Sequence, residues 1–144
     1  MFFGQDRNQL RQGFFDAWRK LQQRESLTPL EEMINGVIKM HPEYHKLLED
    51  SPQAKEQEYP PELGETNPFL HMAMHIALHE QISTDRPAGI RDVARQLLAK
   101  RQQPHDVEHE MMELLAEEMW RSQRYNVLPD EQAYLLQLQT LLEK

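Results

Sequence analysis

An apolar run in the middle of the chain limits the folds open to this sequence more than any other feature. From Phe69 to Leu78 every side chain is apolar except those of His71 and His75. A helix that is apolar around its whole circumference is normally buried. Its two histidines would then be desolvated, and desolvated imidazoles need polar partners or a metal ion. The run therefore predicts a core helix whose two histidines are hydrogen-bonded to polar groups or bound to a metal ion.

Helix start signals recur on both sides of this run. Thr28-Pro29-Leu30-Glu31 combines an N-cap hydroxyl, a proline at the first helical position and a glutamate three residues after the cap. Asn67-Pro68 begins the apolar run in a similar way. Glycine is scarce, at 5 positions, and Leu, Glu, Gln, Arg and Met are plentiful, which favours helix throughout. We predict an all-α fold, a compact helical bundle of about five to six helices.

Proline also indicates where helices bend or end. Pro42 disfavours helical geometry at His41, so the second helix should kink or restart there. Residues 50–66 hold three prolines, a glycine and many charges, and predict an irregular Pro-rich loop.

Because 144 residues is the usual size of one compact domain, we predict a single helical domain over 1–144. In a helix predicted from about Pro87 to Arg101, the residues expected to face inward are Ile90, Val93, Ala94, Leu97 and Leu98.

Charge and composition exclude several classes of protein. A net charge of −8 argues against nucleic acid as a partner, because phosphate binding depends on clustered Lys and Arg. No segment approaches the roughly 20 apolar residues that span a bilayer, and the start of the sequence does not have the pattern of a leader, so we expect a soluble, cytoplasmic protein. There is no cysteine, so any metal site must be built from nitrogen and oxygen ligands.

The seven histidines share one spacing, since each has another histidine four residues away. On a helix, positions four apart lie one turn apart on the same face. With the carboxylates that continue the spacing, the chain contains three stripes of candidate metal ligands: His41, His45 and Glu49; His71, His75 and His79; and His105, His109 and Glu113. Glu108 falls on the core edge beside the third stripe and is a candidate bridging carboxylate or hydrogen-bond acceptor behind the ligands.

The ligand types indicate which metals the site would bind. Imidazole with carboxylate suits iron, zinc or manganese, whereas calcium and magnesium prefer shells of oxygen. One zinc ion needs only three or four protein ligands, so the surplus of ligands indicates two ions. We predict a dinuclear non-haem iron site with a redox or oxygen-linked role, with zinc or manganese as the alternative metals. Tyr44, next to the first stripe, could supply a proton or an electron, or could pack against the site.

Two other interpretations fit the same residues. A zinc-dependent hydrolase would hold one ion with three histidines and use Glu108 or Glu80 as the base on a bound water. A non-enzymatic adaptor or binding protein would use the histidines and carboxylates as a buried hydrogen-bond network. The residues do not decide whether the chain is an enzyme, and they leave open both a protein partner and a homo-oligomer.

Two resemblances accompany these patterns. The spacing of the histidines and carboxylates resembles that of hemerythrin-like metal bundles, in which histidines dominate and two carboxylates bridge the irons. Nearly the whole chain resembles an uncharacterised bacterial family, domain of unknown function 1841, through the segments HPEYH, NPFLHMAMHIALHEQISTDRPAGI and HDVEHEMMELLAEEMW. The second resemblance implies a single-domain cytoplasmic bacterial protein and carries no assigned activity with it.

Overall fold

A computed structural model describes residues 7–50 and 67–144 of the chain. These residues form helices and connecting turns and contain no strand, which confirms the predicted all-α bundle. The helices are α1 (Arg7–Gln22), α2 (Pro29–Lys39), α3 (His45–Asp50), α4 (Pro68–Thr84), α5 (Ile90–Arg101), α6 (Pro104–Tyr125) and α7 (Glu131–Thr140), with 3₁₀ turns at Pro42–Tyr44 and Leu141–Glu143. Apart from residue 50, the loop predicted over 50–66 lies outside the described residues.

The chain divides into two compact units, Met1–Ile76 and Ala77–Lys144, and the boundary falls inside α4. We call them the first unit and the second unit. The first unit contains α1, α2, α3 and the first half of α4, and the second contains the rest of α4 with α5, α6 and α7. The single domain over 1–144 stays a prediction.

The start of α2 in the first unit follows the predicted signal. The Thr28 hydroxyl accepts a hydrogen bond from the backbone N–H of Glu31, and the Glu31 carboxylate accepts one from the N–H of Thr28. This capping box satisfies two N–H groups that the first turn of a helix leaves unpaired. Further along α2, buried Asn35 donates to the carbonyl of Ala17 in α1 at 2.9 Å. The two helices are thereby joined through the core, whose buried residues are Phe14, Ala17, Trp18, Ile34, Val37, Ile38, Leu48, Phe69, Met72, Ala73 and Ile76.

The chain changes direction at His41, where the sequence predicts a kink. α2 ends at Lys39, and His41 has φ −128° and ψ 69°, which is not helical. Pro42 explains this geometry, because its ring restricts the backbone of the preceding residue. A 3₁₀ turn over Pro42–Tyr44 then leads into α3. As a result, His41 and His45 do not lie on one continuous helix even though they are four residues apart.

In the second unit, α5 and α6 bury one face each. Ile90, Val93 and Leu97 of α5 are buried, as predicted, but Leu98 is exposed, so its predicted inward position is wrong. Leu98 lies about a quarter turn beyond Leu97 around the helix, which turns it from the buried face towards solvent. The buried residues of α6 are Val107, Met111, Met112 and Leu115.

The last helix, α7, begins after an N-cap at Asp130. The Asp130 side chain accepts a hydrogen bond from the N–H of Ala133 at 3.0 Å. One turn on, buried Tyr134 donates its hydroxyl hydrogen to Gln81 Oε1 of α4 at 2.8 Å. Burial raises the pKa of the Tyr134 phenol, so the group is a neutral donor at ordinary pH. None of the helices in the described part of the chain has the length and apolar character needed to cross a membrane.

Candidate metal centre

Helix α4 supplies the central stripe of histidines. Asn67 caps it, because the Asn67 side-chain oxygen accepts hydrogen bonds from the N–H groups of Phe69 and Leu70 at 3.0 and 3.1 Å. Leu70 is exposed, but most of the following two turns is buried, which confirms the prediction of a buried apolar helix. The buried side chains are Phe69, Met72, Ala73, Met74, His75, Ile76 and Leu78.

The three histidines of α4 differ in burial. His75 is 0% exposed and lies among the apolar side chains of the core, whereas His71 and His79 are partly buried. An α-helix places them one turn apart along one face. The stripe therefore runs from a position that water does not reach at His75 to one that water reaches in part at His79.

Three imidazole rings meet in the first unit and form what we call the first histidine group: His41, His71 and His75. The ring centroids are 5.0 Å apart for His41 and His71, 4.8 Å for His41 and His75, and 4.9 Å for His71 and His75. An ion bound to imidazole nitrogens at about 2.1 Å would hold such centroids about 4.5 Å apart in octahedral and about 5.2 Å apart in tetrahedral geometry. The observed separations fall within this interval.

His41 is oriented by the end of α2. The side chain is 2% exposed, and its Nδ1 lies 2.8 Å from the carbonyl oxygen of Val37. A carbonyl can only accept, so Nδ1 carries the hydrogen and the lone pair of the neutral ring is on Nε2. A backbone carbonyl commonly holds metal-binding histidines in this way. A ring nitrogen of His41 and one of His75 lie within 4.8 Å of each other, so small shifts would bring both to one ion.

Tyr44 packs on the first histidine group. Its ring lies nearly parallel to that of His41, with the centroids 5.4 Å apart and the planes at 10°. Burial, with a smaller contribution from the charge of Glu43, raises the pKa of the Tyr44 phenol. Of the two roles predicted for Tyr44, this stacking supports packing against a candidate ligand.

The other members of the first predicted stripe, His45 and Glu49, lie elsewhere in the first unit. The His45 ring packs on Trp18 with centroids 4.5 Å apart, and its Nε2 donates to the carbonyl of Ile38 at 2.9 Å. Glu49 is exposed and accepts hydrogen bonds from Trp18 Nε1, at 3.1 Å, and from Gln22. The structure therefore brings His41 together with His71 and His75, and it places His45 and Glu49 around Trp18.

In the second unit, α6 presents a close pair of histidines at its first turns. His105 Nε2 and His109 Nε2 are 2.9 Å apart. Two imidazole nitrogens bound to one ion at about 2.1 Å are about 3.0–3.4 Å apart. The pair is therefore already close to the separation that a shared ion would impose, and one ring can also donate to the other when no ion is bound.

A carboxylate and a histidine also meet in the second unit. Glu108 Oε1 contacts His79 Nε2, and both side chains are partly buried. Glu108 belongs to the same turns of α6 as His105 and His109, about a sixth of a turn around the helix from His105 and rather more than a quarter turn from His109. Glu113, which continues the spacing of that stripe, is exposed. The structure thus gives Glu108 the contact expected of a carboxylate ligand or acceptor and leaves Glu113 in solvent.

These side chains could hold a transition-metal ion. In each unit, imidazole nitrogens approach one another, and in the second unit a carboxylate joins them.

Sequence reasoning missed the carbonyl of Val37 and the contact between Trp18 and His45, because the path of the backbone after α2 creates both. No residue pattern marks a carbonyl as a partner, and the spacing of Trp18 from Leu10, Phe14 and Leu21 marks it only as a core residue of a helix.

Comparison with known proteins identifies the chain by family alone. No curated protein matches it, and no solved structure matches it. One family model, described as Domain of unknown function (DUF1841), matches residues 6–140. The match spans nearly the whole sequence, including all the histidines, and agrees with the resemblance seen in the sequence. The chain therefore belongs to the DUF1841 family.

Proposed function

We propose that this protein binds two transition-metal ions, with ligands drawn from the histidine stripes and Glu108. The proposed ligands are His41, His71, His75, His79, His105, Glu108 and His109. The observation that carries the proposal is the first histidine group, three imidazole rings at 4.8–5.0 Å around a fully buried His75. Bringing the imidazoles of His41 and His75 out of water into an apolar core is costly, and an ion shared with His71 offsets that cost by binding their lone pairs.

Two ions are proposed because the ligands outnumber what one ion uses. A single site takes three or four protein ligands, and the set contains six histidines and one glutamate. We propose iron as the metal and a redox or oxygen-linked role, with zinc or manganese as the alternatives. Three statements remain predictions from the sequence: that the protein works in the cytoplasm, that nucleic acid is not a partner, and that a protein partner or a homo-oligomer is possible.

Elemental analysis of the purified protein tests the proposal. Protein prepared both with and without oxygen should contain close to two equivalents of a transition metal, and an iron centre should absorb in the near ultraviolet or visible range. His75→Ala and His109→Ala should each lower the metal content. His45→Ala is the matched control, because His45 packs on Trp18, and it should retain the metal of the unaltered protein.

The competing function is an adaptor with a buried histidine network. The 2.9 Å contact between His105 and His109 and the hydrogen bond from His41 to Val37 also fit such a network. In that case less than half an equivalent of any metal would be present, and chelators would leave the thermal midpoint unchanged. A zinc hydrolase would instead contain zinc and show no visible absorption.

A further inference from the structure

Helix α7 has an outward side that carries no charge. Tyr134 and Leu138 are buried and lie on one side of the helix. At about 100° per residue, Leu136 falls on the opposite side, and it is 64% exposed. The residues on this outward side, which we call the α7 face, are Gln132, Ala133, Leu136, Gln139 and Thr140. All of them are exposed except Ala133, which is half-buried.

The missing charge is unusual for this chain. Charged residues make up 28% of the sequence, so a run as long as residues 132–142 is expected to contain about three, and it contains none. Helix α5 of the same unit has the ordinary pattern of an exposed surface. Its exposed charged residues are Arg91, Asp92, Arg95 and Lys100. Because the centre of a protein interface is depleted of charged residues, the α7 face has the composition of an interface rather than of an open surface.

The charge of the whole chain indicates which partner suits this face. A strongly acidic or basic partner is recognised through opposite charges, and the α7 face offers none. A second copy of the chain has the same net charge of −8, so two copies repel each other at long range. Contact between copies therefore favours a face without carboxylates, because like charges placed against each other are costly.

The order of residues on the α7 face also fits contact with the same face of a second copy. When two identical helices pair antiparallel about a two-fold axis, positions at equal distances before and after the axis face each other. With Leu136 at the axis, Gln132 would face Thr140 of the copy, and Ala133 would face Gln139 of the copy. These pairs contain leucine against leucine and neutral side chains against neutral side chains, so the contact buries no charge.

We propose that the protein forms a symmetric dimer through the α7 face, with the two α7 helices antiparallel and Leu136 at the two-fold axis. The inference goes beyond the proposed metal binding, since none of the proposed ligands lies on α7. One face of a ten-residue helix is a small interface, so the dissociation constant is expected in the micromolar range.

Sedimentation equilibrium of the whole chain, from about 1 to about 500 µM, tests the inference. The unaltered protein should change from monomer to dimer over this range. Leu136→Lys places two like charges at the axis and should be monomeric throughout. Leu98→Lys is the matched control, because it alters an exposed leucine on α5, and it should dimerise as the unaltered protein does. A chain that stays monomeric, or a dimer that both substitutions weaken equally or that neither weakens, would overturn the proposal.

Two charge variants test the antiparallel arrangement. Gln132→Glu combined with Thr140→Lys puts opposite charges together twice in the proposed dimer and should tighten it roughly fivefold. Gln132→Glu combined with Thr140→Glu puts like charges together and should weaken it by a similar factor. Both positions are exposed, so the fold should be retained. In a parallel dimer each new charge would face its own copy, so a weaker dimer for both variants would contradict the proposed pairing.

Discussion

At the scale of single residues, the proline after His41 separates two histidines that the sequence spacing puts together. A four-residue spacing places side chains on one face only if the helix is continuous. Pro42 interrupts it, so His41 turns back to the Val37 carbonyl and meets His71 and His75, while His45 packs on Trp18. Spacing alone could predict that histidines would cluster. It could not predict which of this pair would join the cluster, since that depends on the backbone path.

Tyr44 gives a prediction at this scale, because its ring stacks on that of His41. Tyr44→Ala should lower the free energy of unfolding by about 1–3 kcal/mol, through lost stacking and lost burial. It should also weaken metal binding, because His41 loses the ring that helps to hold its plane. Tyr44→Phe keeps the ring and should resemble the unaltered protein in urea unfolding and in a metal titration. If Tyr44→Phe were as impaired as Tyr44→Ala, the hydroxyl would matter and the packing role would be wrong.

At the scale of elements, local signals in the sequence are enough to predict where helices start. The buried face of a helix and the contacts between helices depend on tertiary structure and could not be predicted in the same way. The capping residues Thr28, Asn67 and Asp130 act on N–H groups within three residues of themselves, so the sequence around each is enough. The inward face of α5 was harder, because Leu97 and Leu98 are equally apolar and only the neighbouring helices decide which is covered. Contacts between rings of different helices are harder still to predict, because a local sequence pattern contains no information about which helices are neighbours.

The cap of α2 makes a prediction about stability. Thr28→Ala removes the hydroxyl that accepts from the Glu31 N–H, and it should cost about 1 kcal/mol of unfolding free energy. Ser26→Ala changes a nearby exposed hydroxyl outside the capping box and should have little effect. Urea unfolding followed by circular dichroism measures both. Equal effects of the two substitutions would mean that the capping box contributes nothing to α2.

The junction of α6 and α7 makes a prediction about pH. A hydrogen bond from Arg121, together with one from the N–H of Asp130 at 2.6 Å, holds the pKa of Glu118 below its ordinary value of 4.5. Because the pKa of Glu118 is lower in the folded protein than in the unfolded chain, its ionised carboxylate stabilises the folded state. This stabilisation is present above pH 4.5 and is lost as the pH falls through the pKa of the folded protein.

Glu118→Gln should therefore reduce the difference in unfolding free energy between neutral and acid pH, by about 1 kcal/mol. Urea unfolding at several pH values from 7 down to about 3 measures that difference. Glu117→Gln alters the exposed neighbour on the same helix and should leave the pH profile as it is. An unchanged profile for Glu118→Gln would show that the junction does not depend on the carboxylate charge.

At the scale of the whole molecule, the candidate ligands are distributed over both units. The first unit holds the group of His41, His71 and His75, and the second holds the pair of His105 and His109 and the contact of His79 with Glu108. The single helix α4 supplies ligands to each. If both groups bind metal, removing it should affect the stability of both units, because ligands that bind only the folded state stabilise it.

Metal removal is therefore expected to lower the thermal midpoint of the protein. Metal at about 100 times its dissociation constant stabilises the folded state by about 2.7 kcal/mol. For a chain of this size that corresponds to a fall of roughly 5–10 °C on chelation. Scanning calorimetry with and without a chelator measures it, and restoring the metal should restore the midpoint. Chelation should lower the thermal midpoint of His45→Ala as much as that of the unaltered protein. The variants His75→Ala and His109→Ala should have lower midpoints before chelation, and chelation should lower them less. A shift that is the same in all three variants would mean that the metal binds elsewhere in the chain.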